Sequence, residues 1–133
     1  MTIYSGACLC GAVRYEARGE PLDAGWCHCR MCQRISGAPA QPFVLFPLDA
    51  FAYVRGEPRI YISSAEGERR SCAICGSSLE FRLRNDPREV SLNSGTLDDP
   101  SRAPPRKHIW ISSRVAWFRC DDGLPEFPEG GEP

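Results

Sequence analysis

Short runs of alternating apolar and polar residues follow one another along the chain, broken every few positions by glycine or proline. Residues 13–17 place Val13, Tyr15 and Ala17 on one face, the period of two expected of a half-buried strand. Residues 59–63 set Ile60 and Ile62 on one face and Tyr61 on the other. Residues 78–84 alternate most regularly, with Leu79, Phe81 and Leu83 predicted inward and the charges outward. Residues 43–46, 107–111 and 115–118 are further β-rich runs. Turn signals separate them, at 19–21, 56–58, 85–87 and 98–100. No window carries a long 3.6-residue apolar period. One two-turn helix is predicted over residues 30–36, stopped by Gly37 and Pro39. The pattern is that of an all-β chain with at most one or two short helices.

Composition narrows what such a chain can do. At 133 residues it is one domain by length. Sixteen basic against seventeen acidic residues exclude a nucleic-acid binder working by bulk positive charge. The longest purely apolar run, residues 50–54, is far short of the ~20 residues of a membrane helix. The N-terminal residues carry neither a basic segment nor an apolar stretch of the secretory kind, so a reducing, cytoplasmic setting is expected. Residues 121–133 hold five acidic residues, three prolines and three glycines and no base. They read as a surface-hugging or frayed tail, with Leu124 and Phe127 able to dock.

The eight cysteines carry the chemistry. Seven form three clusters, Cys8/Cys10, Cys27/Cys29/Cys32 and Cys72/Cys75, and Cys120 stands alone. In a reducing compartment such clusters read as metal ligands before they read as disulfides. Two two-ligand loops, at 8/10 and 72/75, can close on one tetrahedral zinc. Gly6 and Gly11 allow the first pair to converge, and Gly76 suits a tight knuckle with backbone donors turned toward sulfur. The middle cluster offers three sulfurs within six residues and leaves a fourth position open, the mark of a catalytic rather than a structural zinc. The cysteines thus divide as four plus three. Exchange of pairs between sites is chemically allowed, and Cys120 can complete the second tetrahedron.

The segments 6–15 (GACLCGAVRY), 27–38 (CHCRMCQRISGA), 72–79 (CAICGSSL), 95–100 (GTLDDP) and 108–110 (HIW) together resemble the glutathione-dependent formaldehyde-activating enzyme family, the CENP-V/GFA domain. The resemblance runs from Gly6 to about Pro125. It sets the domain at residues 1–125 and the acidic Pro/Gly-rich tail at 126–133. It implies an Mss4-like β-tent with zinc knuckles and two zinc ions. Cys8, Cys10, Cys72 and Cys75 would hold the structural ion, and Cys27, Cys29 and Cys32 the catalytic one. The implied activity is that of a carbon–sulfur lyase joining or parting a small, glutathione-like thiol and an aldehyde. Its partners are small molecules, with no nucleic acid and no membrane. The competing reading is a zinc-scaffolded binding module or zinc-handling protein without catalysis.

Thiol addition to a carbonyl requires proton transfer at the carbonyl oxygen, and His28 and His108 are the only histidines. His28 alternates with Cys27 and Cys29, so on an extended backbone it points away from their metal. His108, on a β-rich run, reads first as a structural histidine. Arg30 and Arg34, one helical turn apart, can hold a substrate carboxylate or simply be solvated. Trp26, Trp110 and Trp117 are candidates for pocket wall or core, Cys120 reads as a spare thiol, and Asp98-Asp99-Pro100 as a turn.

Overall fold

The computed structural model describes residues 2–131. Ten strands occur in chain order: β1 Ile3–Ala7, β2 Arg14–Arg18, β3 Asp23–Cys27, β4 Gln41–Pro47, β5 Phe51–Arg55, β6 Arg59–Ile62, β7 Gly67–Ser71, β8 Ser78–Leu83, β9 Glu89–Asn93 and β10 His108–Ile109. One helix, α1, spans Arg30–Ser36 between β3 and β4, and four short 3-10 turns complete the described residues. The all-β expectation holds, and the helix lies where the sequence places it. Cys29 caps its start, accepting the Cys32 N–H on sulfur at 3.2 Å, and Gly37 closes its end.

Strands β1, β2 and β5 form a small sheet, and the other seven a large one in the order β10-β3-β4-β9-β8-β7-β6. Every pair is antiparallel except β10 with β3. The large sheet sends alternate residues to two faces. One face, with Val44, Phe46, Val90 and Leu92, joins Tyr4, Tyr15 and Ala17 of the small sheet in the core. Tyr4 and Phe46 meet with ring centroids 5.2 Å apart. The other face carries Gln41, Phe43, Leu45, Ser91 and Asn93 and lines a cavity instead.

Three runs depart from the predicted pattern. In β8 the pairing shifts so that Ser71 opposes Ser78 while Arg70 opposes Glu80. That bulge leaves Leu79 unpaired and breaks the period of two. Leu79 and Glu80 are therefore both buried, and Leu83 is 49% exposed. Glu80 is held by a fork from Arg82 at 2.7 Å on both oxygens and by the Tyr53 hydroxyl at 2.6 Å. β6 is an edge strand whose Ile60, Tyr61 and Ile62 are all exposed. Residues 115–118 form no strand: they turn, presenting Trp117 to solvent and packing Phe118 against Trp26 and His28.

The acidic tail lies along β10. The His108 N–H donates to the Pro125 carbonyl at 2.8 Å, and the Phe127 N–H returns a bond to His108 at 2.9 Å. Leu124 and Phe127 are half-buried.

Candidate functional site

Two cysteine clusters form, and they are the four-plus-three division. Cys8 and Cys10 sit in a loop after β1, and Cys72 and Cys75 in a loop after β7, so the fold brings together segments far apart in the chain. Both loops turn through glycines in the left-handed region, Gly11 at φ 79° and Gly76 at φ 81°, where a Cβ would strain the backbone. The turns aim amide donors at sulfur. Val13 N–H donates to Cys8 Sγ at 3.3 Å, and the Ile74 and Cys75 amides to Cys72 Sγ at 3.4 Å. Cys8 Sγ lies 3.7 Å from Cys10 Sγ, which lies 3.8 Å from Cys72 Sγ. Four sulfurs at ~2.3 Å from a shared zinc stand roughly 3.8 Å apart, so the donors fit that ion. The Ser77 hydroxyl and amide hold the Cys75 thiol down to about 5, biasing it toward the thiolate a metal requires.

The second cluster sits at the end of β3 and the start of α1. Cys27 is the last residue of β3, Cys29 the helix cap and Cys32 the end of the first turn. Their three sulfurs lie within 4.8 Å of one another. The thiols titrate as a unit: hydrogen bonds from Cys27, then Cys32, favour ionised Cys29, while the Cys29 thiolate pushes Cys27 up. No histidine or carboxylate joins this group among the described residues, so three soft donors converge without a fourth from the protein.

These three cysteines line a cavity of about 290 Å³ on the outer face of the large sheet. Its floor is Phe43 and Leu45 from β4 with Phe81 from β8, and its rim includes Ile109, Trp110 and Gly130. Trp110 has φ 58°, the one positive value at a non-glycine residue among the described residues, a costly conformation for a bulky side chain. Two cations enter the cavity. Lys107 pairs with Asp23 at 2.6 Å. Arg69, from β7, lies over the Phe81 ring at 4.9 Å.

Neither histidine lines the cavity. His28 points to the opposite side of β3, as its alternation with the cysteines predicts. Its Nε2 lies 2.9 Å from His108 Nδ1, and His108 Nε2 lies 2.8 Å from Asp122. Both rings are 1% exposed. Burial, then the charges of His108 and Arg114, hold the His28 pKa down. The His108 hydrogen bond holds that of Asp122 down. Cys120 belongs to this side, grouped with His108 and Asp122 rather than with the three-cysteine cluster.

Of the other sequence candidates, Trp110 alone of the tryptophans lines the cavity. Arg30 and Arg34 are exposed outside it, Arg30 bonding to Gln33. Asp98 pairs with Arg14 at 2.7 Å, and Asp99 caps the turn at Pro100–Arg102. Sequence reading overlooked Arg69, because residues 67–71 are mostly polar and carry no strand signal. Its only trace is the Arg69-Arg70 pair, which a strand must split between two faces.

The model of the family described as glutathione-dependent formaldehyde-activating enzyme matches residues 3–113. A Halomonas elongata protein, provisionally named a glutathione-dependent formaldehyde-activating enzyme, is 27% identical over 141 residues, covering 93% of this chain and 90% of its own. An uncharacterized lyase of Schizosaccharomyces pombe is 30% identical over 96 residues, covering 71% and 68%. A solved Rhodobacter sphaeroides structure aligns with TM-score 0.62 at 25% identity, over 92% of this chain and 98% of that one.

Proposed function

The chain belongs to the glutathione-dependent formaldehyde-activating enzyme family, and from that premise we propose that it is a zinc-dependent carbon–sulfur lyase. It joins a small glutathione-like thiol to an aldehyde, or parts the adduct. The observation that carries this reading is the cavity opening onto Cys27, Cys29 and Cys32. A purely structural centre has no use for three convergent thiols at the end of an apolar pocket. The Cys8, Cys10, Cys72 and Cys75 set would hold a second, closed zinc that pins β1 to β7.

Zinc held at the three-cysteine cluster would keep an incoming thiol as thiolate at neutral pH, where a free thiol of pKa ~8.5 is mostly protonated. The chain supplies the rest. Phe43, Leu45 and Phe81 give the reacting carbon an apolar wall. In the forward direction a carbon–sulfur bond forms at the carbonyl carbon and the oxygen takes up a proton. The reverse returns that proton and breaks the same bond, with no net redox change. The proton that the carbonyl oxygen gains balances the one the thiol loses on forming thiolate, and since His28 and His108 lie outside the cavity neither ring carries it.

NMR exchange spectroscopy on an equilibrium mixture of formaldehyde, glutathione and their hydroxymethyl adduct tests this. The zinc-loaded protein accelerates exchange, and Cys29→Ser abolishes the acceleration. Unchanged exchange rates with fully loaded protein would favour a binding module.

A further inference from the structure

Arg69 is the buried lysine or arginine of the described residues, at 7% exposure. Strand alternation explains how it comes to be alone. Arg70, on the opposite face of β7, pairs with Glu68 at 3.1 Å and reaches Glu80 at 3.6 Å. Arg69 turns to the outer face, opposite Phe81 in the register, and enters the cavity with the three cysteines. No carboxylate among the described residues lies within ion-pair distance of it. The cavity's other cation, Lys107, is neutralised by Asp23.

A guanidinium at 7% exposure with no carboxylate partner is costly, and here its charge reaches the Cys32 sulfur while its donors keep no partner among the described residues. Its planar fork of donors matches a carboxylate bidentately. Here the guanidinium carbon sits over the Phe81 ring, which steadies the group by a cation–π contact. Between Arg69 and the cysteines the cavity wall is mixed, with Phe43, Leu45, Phe81 and Ile109 beside the polar side chains of Gln41, Ser91 and Asn93.

We infer that Arg69 is the specificity-determining anchor of this site, binding the carboxylate of a thiol or thiol adduct that spans from Arg69 to the three cysteines. This rests on the lyase reading of that cluster. The recognised class is a mercapto-acid, with sulfur at one end and a carboxylate at the other.

The test is a calorimetric titration of zinc-loaded protein with ω-mercapto-acids of increasing chain length, each beside its methyl ester. The acid of best-fitting length binds more tightly than its ester by roughly tenfold to a hundredfold, the range of a charge-assisted contact. Arg69→Gln removes that preference while leaving ester binding in place. Arg69→Lys, which keeps the charge and the fit to the strand, restores part of it. Equal affinity of acid and ester for wild type overturns the anchor while the lyase reading stands. An equal loss for both in Arg69→Gln, or loss of its metal, means that the guanidinium serves the cysteine thiolates and also overturns the anchor. Absence of any thiol binding to two-zinc protein overturns both readings.

Discussion

His28 Nε2 and His108 Nδ1 lie 2.9 Å apart, buried behind the strand whose other face carries the three-cysteine cluster. Their protons can be placed. The Asp122 carboxylate accepts from His108 Nε2–H, so His108 Nδ1 is an acceptor and His28 Nε2 carries the donated proton. His28 Nδ1 is then a bare acceptor, and it has no partner among the described residues. The pair ties the end of β3 to the tail beyond β10, a positioning role rather than proton transfer to substrate. His108→Leu would leave the His28 N–H buried and unpaired, at a cost of about 1–3 kcal/mol. Thermal unfolding should show a Tm lower by several degrees with thiol affinity retained. Lost affinity at unchanged Tm would place the histidines in the chemistry.

The cysteine clusters, the helix from Arg30 to Ser36 and the outward turn of His28 were all legible in the chain, because short spacings and period-two alternation are local properties. The face of each strand that meets the core was less so. Leu79 and Glu80 are buried side by side because of a bulge that no residue pattern announces. β7, with the sequence GERRS, reads as solvent-exposed and yet delivers Arg69 to the cavity and Arg70 to Glu80. Charges buried in pairs look like surface charges until the partner strand is known. The tail follows the same rule: its hydrogen bonds go to β10 through backbone, which composition does not record.

Tyr53 donates to buried Glu80 at 2.6 Å, and burial followed by that carboxylate pushes its hydroxyl well above the usual 10. The folded state therefore holds the proton more tightly than the unfolded chain. The contribution is fully present below about pH 10 and is lost as pH rises beyond it. Tyr15, raised to about 12 chiefly by burial, adds in the same direction. Denaturant titrations across pH 8–12 should show stability falling above pH 10, with a shallower fall in Tyr53→Phe. An identical slope in the variant would separate Tyr53 from the alkaline transition.

Cys72→Ser should unfold the protein or strip most of its stability. A structural zinc contributes on the order of 10 kcal/mol, against roughly 5–15 kcal/mol for a whole domain. Circular dichroism and metal content report it together. Wild-type melting with one zinc lost would deny the 8/10/72/75 centre its structural role.

Cys29→Ser should behave differently, losing about one zinc equivalent with most of the fold intact. The three-cysteine cluster spans one local segment, and β3 and α1 are held independently. Gln33 bonds the carbonyls of His28 at 2.8 Å and Ser113 at 3.0 Å. A collapse as deep as that of Cys72→Ser would erase the division of labour between the two centres.

The central claim is that the three-cysteine centre keeps a coordination position open to an incoming thiolate, and cobalt substitution reads that position directly. Protein carrying two cobalt ions should change its sulfur-to-metal charge-transfer band when millimolar thiol is added, with a pH dependence set by thiol ionisation, because soft thiolate suits such a site and its binding releases a proton. Phosphate and simple carboxylates should leave the band unchanged. In Cys29→Ser the thiol response should vanish while the band of the other centre persists. A spectrum of the two-cobalt protein that does not respond to thiol would mean a closed fourth position, and would contradict the claim.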